Sequence, residues 1–284
     1  MRRAAMALAL LLSACAGEGA QYYADLQADL RARGFLRTER APVDAPFTDA
    51  DLIRNFRRIA LYSEFRREGG RFVAERTPVH LSKWLRPIRI AVYFGASVAP
   101  GQQRQDLADV ARFSARLARL SGLDIALLAD DTAGAANFVI LYANRNERVD
   151  IARSLAGTNA GFDPAILADL RDGSPDKICF ANTFENPDRP GELVYAMVVI
   201  KAETSGLLRL SCLHEELTQA LGLANDDPRV RPSIFNDDEE FALLTAHDEM
   251  LLRMLYHPRL QPGMEAEEVV PLLPGILADV KRTR

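Results

Sequence analysis

The stretch Cys212-Leu213-His214-Glu215-Glu216-Leu217-Thr218-Gln219-Ala220-Leu221-Gly222-Leu223-Ala224-Asn225-Asp226 is the densest polar constellation in the chain. On a helix, residues four apart stand about 40° apart, so Glu215 and Gln219 share one face, with Gly222 one turn further. Leu213, Leu217, Ala220 and Leu221 form the opposing apolar stripe, the pattern of a helix with one side against a core. A glycine ends the stripe, and Asn225-Asp226 follow after two residues.

Strands and helices alternate on both sides of this segment. Upstream, Ile88 to Phe94 alternates like a strand, and Gln105 to Leu120 places Leu107, Val110, Ala111, Leu117 and Ala118 at helical spacing. Further strands are expected at Ile125 to Leu128, Asn137 to Tyr142 and Leu193 to Ile200, the longest apolar run after the first fifteen residues, with a helix around Pro164 to Leu170. Downstream, helices are expected from Phe241 to Tyr256 and from Pro274 to Lys281. Near the start, Tyr22 to Arg33 has helix-forming composition, Pro42 and Pro46 break it, and Thr48-Asp49-Ala50-Asp51 caps a helix from Leu52 to Phe65. That helix turns Leu52, Phe56, Ile59, Ala60 and Ser63 one way and Arg54, Arg57, Arg58, Arg66 and Arg67 largely the other. Its arginines read as a solvated face, with contact to phospholipid or peptidoglycan as the alternative. The fold class is α/β (α+β), a mixed sheet packed with helices behind a short helical N-terminal region.

The motif segment resembles the zincin metallopeptidases whose signature is HExxHxxGxxH. There, histidines at i and i+4 bind zinc, the glutamate at i+1 is the general base, a glycine turns the chain and a third ligand follows. Aligned on Ala220-Leu221-Gly222-Leu223, the resemblance puts Glu215 at the first histidine, Glu216 at the catalytic glutamate, Gln219 at the second histidine and Asn225 at the third ligand. All three histidines are replaced. Reading His214-Glu215 as the HE pair instead leaves Thr218 at the i+4 ligand position and misplaces the glycine.

The resemblance continues beyond the helix. Ser233-Ile234-Phe235-Asn236-Asp237 lies where those peptidases have a methionine turn, with Phe235 in the methionine position. Thr245-Ala246-His247-Asp248 through Leu255-Tyr256 looks like their closing helix, which carries an aspartate and ends in leucine-tyrosine. Leu193 to Ile200 stands where an edge strand that binds extended substrate is expected. With Gln261-Pro262-Gly263-Met264, the chain also looks like a family of proteobacterial lipoproteins known only as a domain of unknown function. The resemblance covers about Trp84 to Met264. It implies a zincin-like domain over residues 83–284, with His214 and His247 beside the site and His80 and His257 in capping or surface roles.

The first residues carry a separate signal. Arg2 and Arg3 precede a short apolar run, Ala4 to Leu12, and Leu12-Ser13-Ala14-Cys15 resembles the lipobox of bacterial lipoprotein signal peptides. The run is about half the ~20 residues that a membrane-spanning helix needs. The resemblance implies a signal peptide over residues 1–14, lipidation at Cys15, and a tether and helical region over 15–82. Ala16 after the cysteine, in place of aspartate, implies an outer-membrane lipoprotein facing the periplasm. Of the three cysteines, Cys179 and Cys212 then remain as thiols, and an oxidising compartment favours joining them. Two buried free thiols are the alternative.

The formal charge of the 284-residue chain is -4, which gives no electrostatic reason to expect nucleic acid. The expected partners are therefore the membrane, through lipidated Cys15, and an envelope protein or peptide substrate. No Ser-His-Asp order, CxxC pair or phosphate-cradling glycine loop competes with the motif. Three readings of its helix remain. One is a metal-dependent hydrolase in which Glu216 activates water while Glu215, Gln219 and Asn225 or Asp226 hold a divalent metal through oxygen, a donor set that disfavours zinc. The second is an envelope binding or scaffolding lipoprotein on a degenerate peptidase fold. The third is a structural face whose glutamates pair with arginines.

Overall fold

The structure is a computed structural model that describes residues 19–69, 71–129, 134–158, 163–236 and 238–282. A helix through 19–32 (α1) leads to α2 (Asp49–Ala60), which Thr48 and Asp51 start with the reciprocal capping box expected from the sequence. The helix stops at Ala60. Residues expected to continue it to Phe65 instead form β1 (Tyr62–Glu68), antiparallel to β2 (Arg71–Pro78), with Gly69 at φ +55 in the turn. Pairing to β2 overrides a helical pattern that carries on in the sequence past Ala60.

After the short β3 (Lys83–Trp84) come β4 (Ile88–Phe94), α3 (Pro100–Ser121), β5 (Ile125–Leu127), β6 (Phe138–Ala143), α4 (Arg145–Ala156), α5 (Pro164–Arg171), β7 (Cys179–Asn186), β8 (Arg189–Lys201) and α6 (Gly206–Gln219). The chain closes with α7 (Ala246–Leu255), α8 (Ala266–Val269) and α9 (Leu273–Arg282). The six-stranded sheet runs β3-β8-β6-β4-β5, all parallel, with β7 antiparallel to β8. Leu193 to Ile200 is thus not an edge strand. It pairs with β6 on one side and β7 on the other, and among the described strands the one-sided positions fall to β3, β5 and β7.

Alternation along the strands sorts side chains to two faces. Ile140, Tyr142, Val198 and Ile200 join the main core with Val110, Phe113 and Leu117 of α3, Leu213 and Leu217 of α6, and Leu251 and Leu255 of α7. Leu141, Ala143 and Val199 face the other way, onto Ala152 of α4 and Leu167 and Leu170 of α5. Both faces are covered, as a parallel sheet requires, and the chain is mixed α/β. Leu52, Phe56 and Ile59 of α2 belong to the same main core, where α2 packs on α7.

The expected Phe241 to Tyr256 helix begins only at Ala246. Thr245 and Asp248 form its capping box, and Phe241 is held in extended pairing with Arg37. Gly222 makes the turn after α6 at φ +110, and a Cβ there would lie 2.1 Å from the Ser82 carbonyl oxygen. A backbone oxygen cannot give way as a flexible side chain can. Gly222→Ala is therefore expected to destabilise the protein by about 3 kcal/mol or more, read as a lowered urea midpoint at unchanged slope. An unshifted midpoint would refute the packing described for this turn.

Candidate functional site

Helix α6 is positioned at both ends by side chains from distant segments. Ser205, its N-cap, makes no side-chain cap, and Gln27 of α1 does that work: its Oε1 accepts the Leu208 N–H at 2.9 Å. At the other end, the Trp84 indole donates to the Ala220 carbonyl at 2.8 Å and the Tyr256 hydroxyl donates to the Leu221 carbonyl at 2.8 Å. With Leu213 and Leu217 buried, the polar face is fixed: Glu216 is buried, and Glu215 and Gln219 are half-buried.

A disulfide joins Cys179 of β7 to Cys212 of α6. It lies beside the two glutamates, so that Cys179 Sγ and carboxylate oxygens of Glu215 and Glu216 fall within 4.8 Å of one another. The sulfur is committed to the disulfide and supplies no thiolate. The remaining sequence-derived ligands turn elsewhere. Gln219 Nε2 lies 3.1 and 3.0 Å from the two oxygens of Asp226, to which it donates. Asn225 is buried and faces α2: its Nδ2 donates to the Arg58 carbonyl at 2.8 Å and its backbone N–H to the Ile59 carbonyl at 3.2 Å. Glu215 and Glu216 are therefore together, Gln219 and Asp226 form a second pair, and Asn225 ties the following loop to α2.

Both nearby histidines are packed in the core and hydrogen-bonded there through at least one ring nitrogen. His214 stacks on Phe113 with ring centres 3.8 Å apart, and its Nδ1 accepts the Leu244 N–H at 3.1 Å. Burial, reinforced by the positive charge of Arg116, pushes its pKa down to about 3. His247 is fully buried, with Nδ1 3.2 Å from Asp248 and Nε2 3.0 Å from the Asn55 amide. That pattern fits a proton on Nδ1 shared with the carboxylate and an Nε2 that accepts from Asn55. The two rings occupy separate environments, one against α3 and the other against α2. Of the other histidines, His80 Nε2 lies 3.0 Å from Glu185, and His257 lies 3.6 Å from Asp279.

Two polar centres lie outside the sequence-derived ligand set. Asp248 is buried among donors: the Ser233 hydroxyl at 2.6 Å, the Ile234 N–H at 3.1 Å and the Thr245 N–H at 3.0 Å. Asp227, also buried, collects Arg58, Arg76 and Arg229; burial alone would raise its pKa, but the bonds from Arg229 hold it below the usual carboxylate range. The aspartate expected on the closing helix and the capping spacing Thr245-x-x-Asp248 both marked the first. For the second, only the run Asn225-Asp226-Asp227 next to Arg229 marked the place. Lipidation at Cys15 concerns residues outside those described.

The sequence profile of one family, described as a protein of unknown function (DUF2927), matches residues 49–275. The chain belongs to that family. No curated protein and no solved structure matches it. In this DUF2927 protein the matched span opens at the first residue of α2 and ends inside α9, so it takes in the α6 face, the disulfide and both polar centres.

The depressed pKa of His214 has a consequence for stability. Between about pH 6.5 and about pH 3 the unfolded chain binds a proton that the folded ring refuses, so stability is lost as pH falls through that window and is fully present above it. His214→Phe removes this titration while keeping a ring against Phe113. Its melting temperature should fall less than the wild type's between about pH 7 and about pH 4.5, and equal slopes for the two proteins would contradict the assignment.

Proposed function

We propose that this protein is an outer-membrane lipoprotein, anchored through Cys15 and facing the periplasm, that binds an envelope protein or peptide on a zincin-like domain without zinc chemistry. The anchor rests on the lipobox reading of Leu12 to Cys15. The zincin-like reading is supported by the order of parts along the chain: the motif helix α6, the turn glycine Gly222, the Phe235 turn, and a closing helix that carries Asp248 and ends in Leu255-Tyr256. Strand β7, antiparallel and paired on one side among the described strands, is the natural place for an extended segment to add.

The loss of zinc chemistry rests on one observation. His214 and His247 are both engaged in the core, and the motif's ligand positions hold a carboxylate and two amides, of which Gln219 already bonds Asp226 and Asn225 already bonds α2. A catalytic zinc keeps three protein ligands, typically nitrogen-rich, and an open position. The residues present do not fit it. A second reading, hydrolysis with a hard divalent cation, is favoured by the proximity of Glu215 and Glu216, but two carboxylates are few for an ion that takes six or more oxygens.

Two experiments test the proposal. In fractionated cells the wild type should remain with the membranes and Cys15→Ser should be released, since the thioether can form only at that thiol; unchanged membrane association of the variant would remove the anchor. Incubated with unfolded protein substrates and zinc, magnesium, manganese or calcium, the purified chain should show no turnover above the buffer blank. Metal-dependent turnover abolished by Glu216→Gln would replace the binding role with the hydrolytic one.

A further inference from the structure

The loop between α6 and α7 carries a concentration of positive charge separate from the α6 face. Three arginines from distant parts of the chain converge on one oxygen of the buried Asp227. To Oδ2, Arg229 stands at 2.5 Å, Arg76 of β2 at 3.4 Å and Arg58 of α2 at 3.8 Å. Arg229 takes the carboxylate in full: its Nε donates to Oδ1 at 2.8 Å and its backbone N–H to the same atom at 3.0 Å. Arg58 and Arg76 are left at ion-pair distance, and among the described residues neither guanidinium donates a hydrogen bond.

A guanidinium keeps its charge and presents five N–H donors in a planar fork. Here two such forks face a carboxylate already occupied by a third. The Cζ of Arg76 lies over the Tyr62 ring, 4.0 Å from its centre, a cation–π contact that holds the guanidinium against the ring. Arg58 feels burial first, then repulsion from Arg229, then the opposing attraction of Asp227, and then repulsion from Arg54 and Arg76, so that its pKa is lowered even beside the carboxylate. Arg54 is itself paired with Asp51. The group is open to solvent: the side chains of Arg58, Arg76 and Arg229 are 20%, 37% and 58% exposed.

We infer that Arg58, Arg76 and Arg229 form a binding site for a phosphate group, in which Asp227 fixes the fork of Arg229 and the forks of Arg58 and Arg76 receive the anion. A phosphate carries up to two negative charges and several acceptor oxygens, which matches the two guanidiniums that share one already hydrogen-bonded carboxylate better than that carboxylate does. The phosphate is that of a phospholipid headgroup or of a soluble phosphate, and the site does not depend on the reading of the α6 face.

The test uses the full-length chain. Inorganic phosphate is titrated into the detergent-solubilised protein by calorimetry at low salt. The full-length Cys15→Ser chain is floated with vesicles of phosphatidylglycerol or of phosphatidylcholine. Saturable phosphate binding that weakens with added salt is expected, reduced at least tenfold in the Arg58→Gln, Arg76→Gln double variant at unchanged melting temperature. Should that variant not fold, Arg76→Gln alone, at an exposed position, is expected to lose at least threefold. Arginine-dependent binding to phosphatidylglycerol vesicles but not phosphatidylcholine would assign a lipid headgroup, and phosphate binding without vesicle binding would assign a soluble ligand. The inference is overturned if neither phosphate nor phosphatidylglycerol vesicles bind saturably, or if binding is indifferent to both sets of arginine substitutions.

Discussion

Asp248 has no exposed surface, and its carboxylate is held by the Ser233 hydroxyl, the Ile234 and Thr245 backbone N–H groups and the His247 ring. An ionised carboxylate taken out of water costs several kcal/mol unless its lone pairs are met. Meeting them requires the turn at Ser233 to Phe235 to sit against the first turn of α7. His247 passes the constraint on, because its other nitrogen reaches Asn55 on α2. The Phe235 carbonyl in turn accepts the N–H of Asp227, which ties the turn to the arginine cluster. One buried carboxyl group thus organises α7, the loop before it and the inner face of α2, and it does so by consuming a histidine that a metal site would otherwise want.

The α6 face follows from constraints of the same kind. Gln27, Trp84 and Tyr256 satisfy backbone groups at the two ends of the helix, and the disulfide ties its middle to β7. By the chain-entropy argument, closing a loop of this size contributes on the order of 3–4 kcal/mol. What remains outward is carboxylate and amide, already arranged in pairs. A framework this well anchored presents a fixed surface, which suits recognition as readily as chemistry. Recognition by the arginines around Asp227 uses a different part of that surface and a different physical principle, surplus charge in place of metal coordination.

The sequence made the strongly periodic elements legible: β4, α3, β6, β8, α6 and α9 lie within a few residues of expectation, because branched apolar runs and clean helical stripes leave few alternatives. Weakly patterned elements escaped. Strand β7, Cys179–Asn186, mixes asparagine, threonine and glutamate with two phenylalanines, and α4, Arg145–Ala156, has too few apolar residues for a wide stripe. The β1–β2 hairpin was hidden by an apolar spacing that continues the rhythm of α2 beyond its true end. At the candidate site, the helix, its polar face and the cysteine pair were legible. The commitments of Gln219 to Asp226, Asn225 to Arg58 and His247 to Asp248 and Asn55 were not, since all but one of these contacts join residues that only the tertiary fold or a loop brings together.

The central claim is that the motif helix has kept its place in a zincin-like arrangement while its metal chemistry is gone. Metal content of the full-length protein, purified without chelator from zinc-supplemented cells and measured by inductively coupled plasma mass spectrometry, addresses this most directly. The account predicts zinc far below one equivalent per chain, lost on simple dialysis. One equivalent of zinc that survives dialysis would contradict it, because a nitrogen of His214 or His247 would then have to leave the core and reach the α6 face.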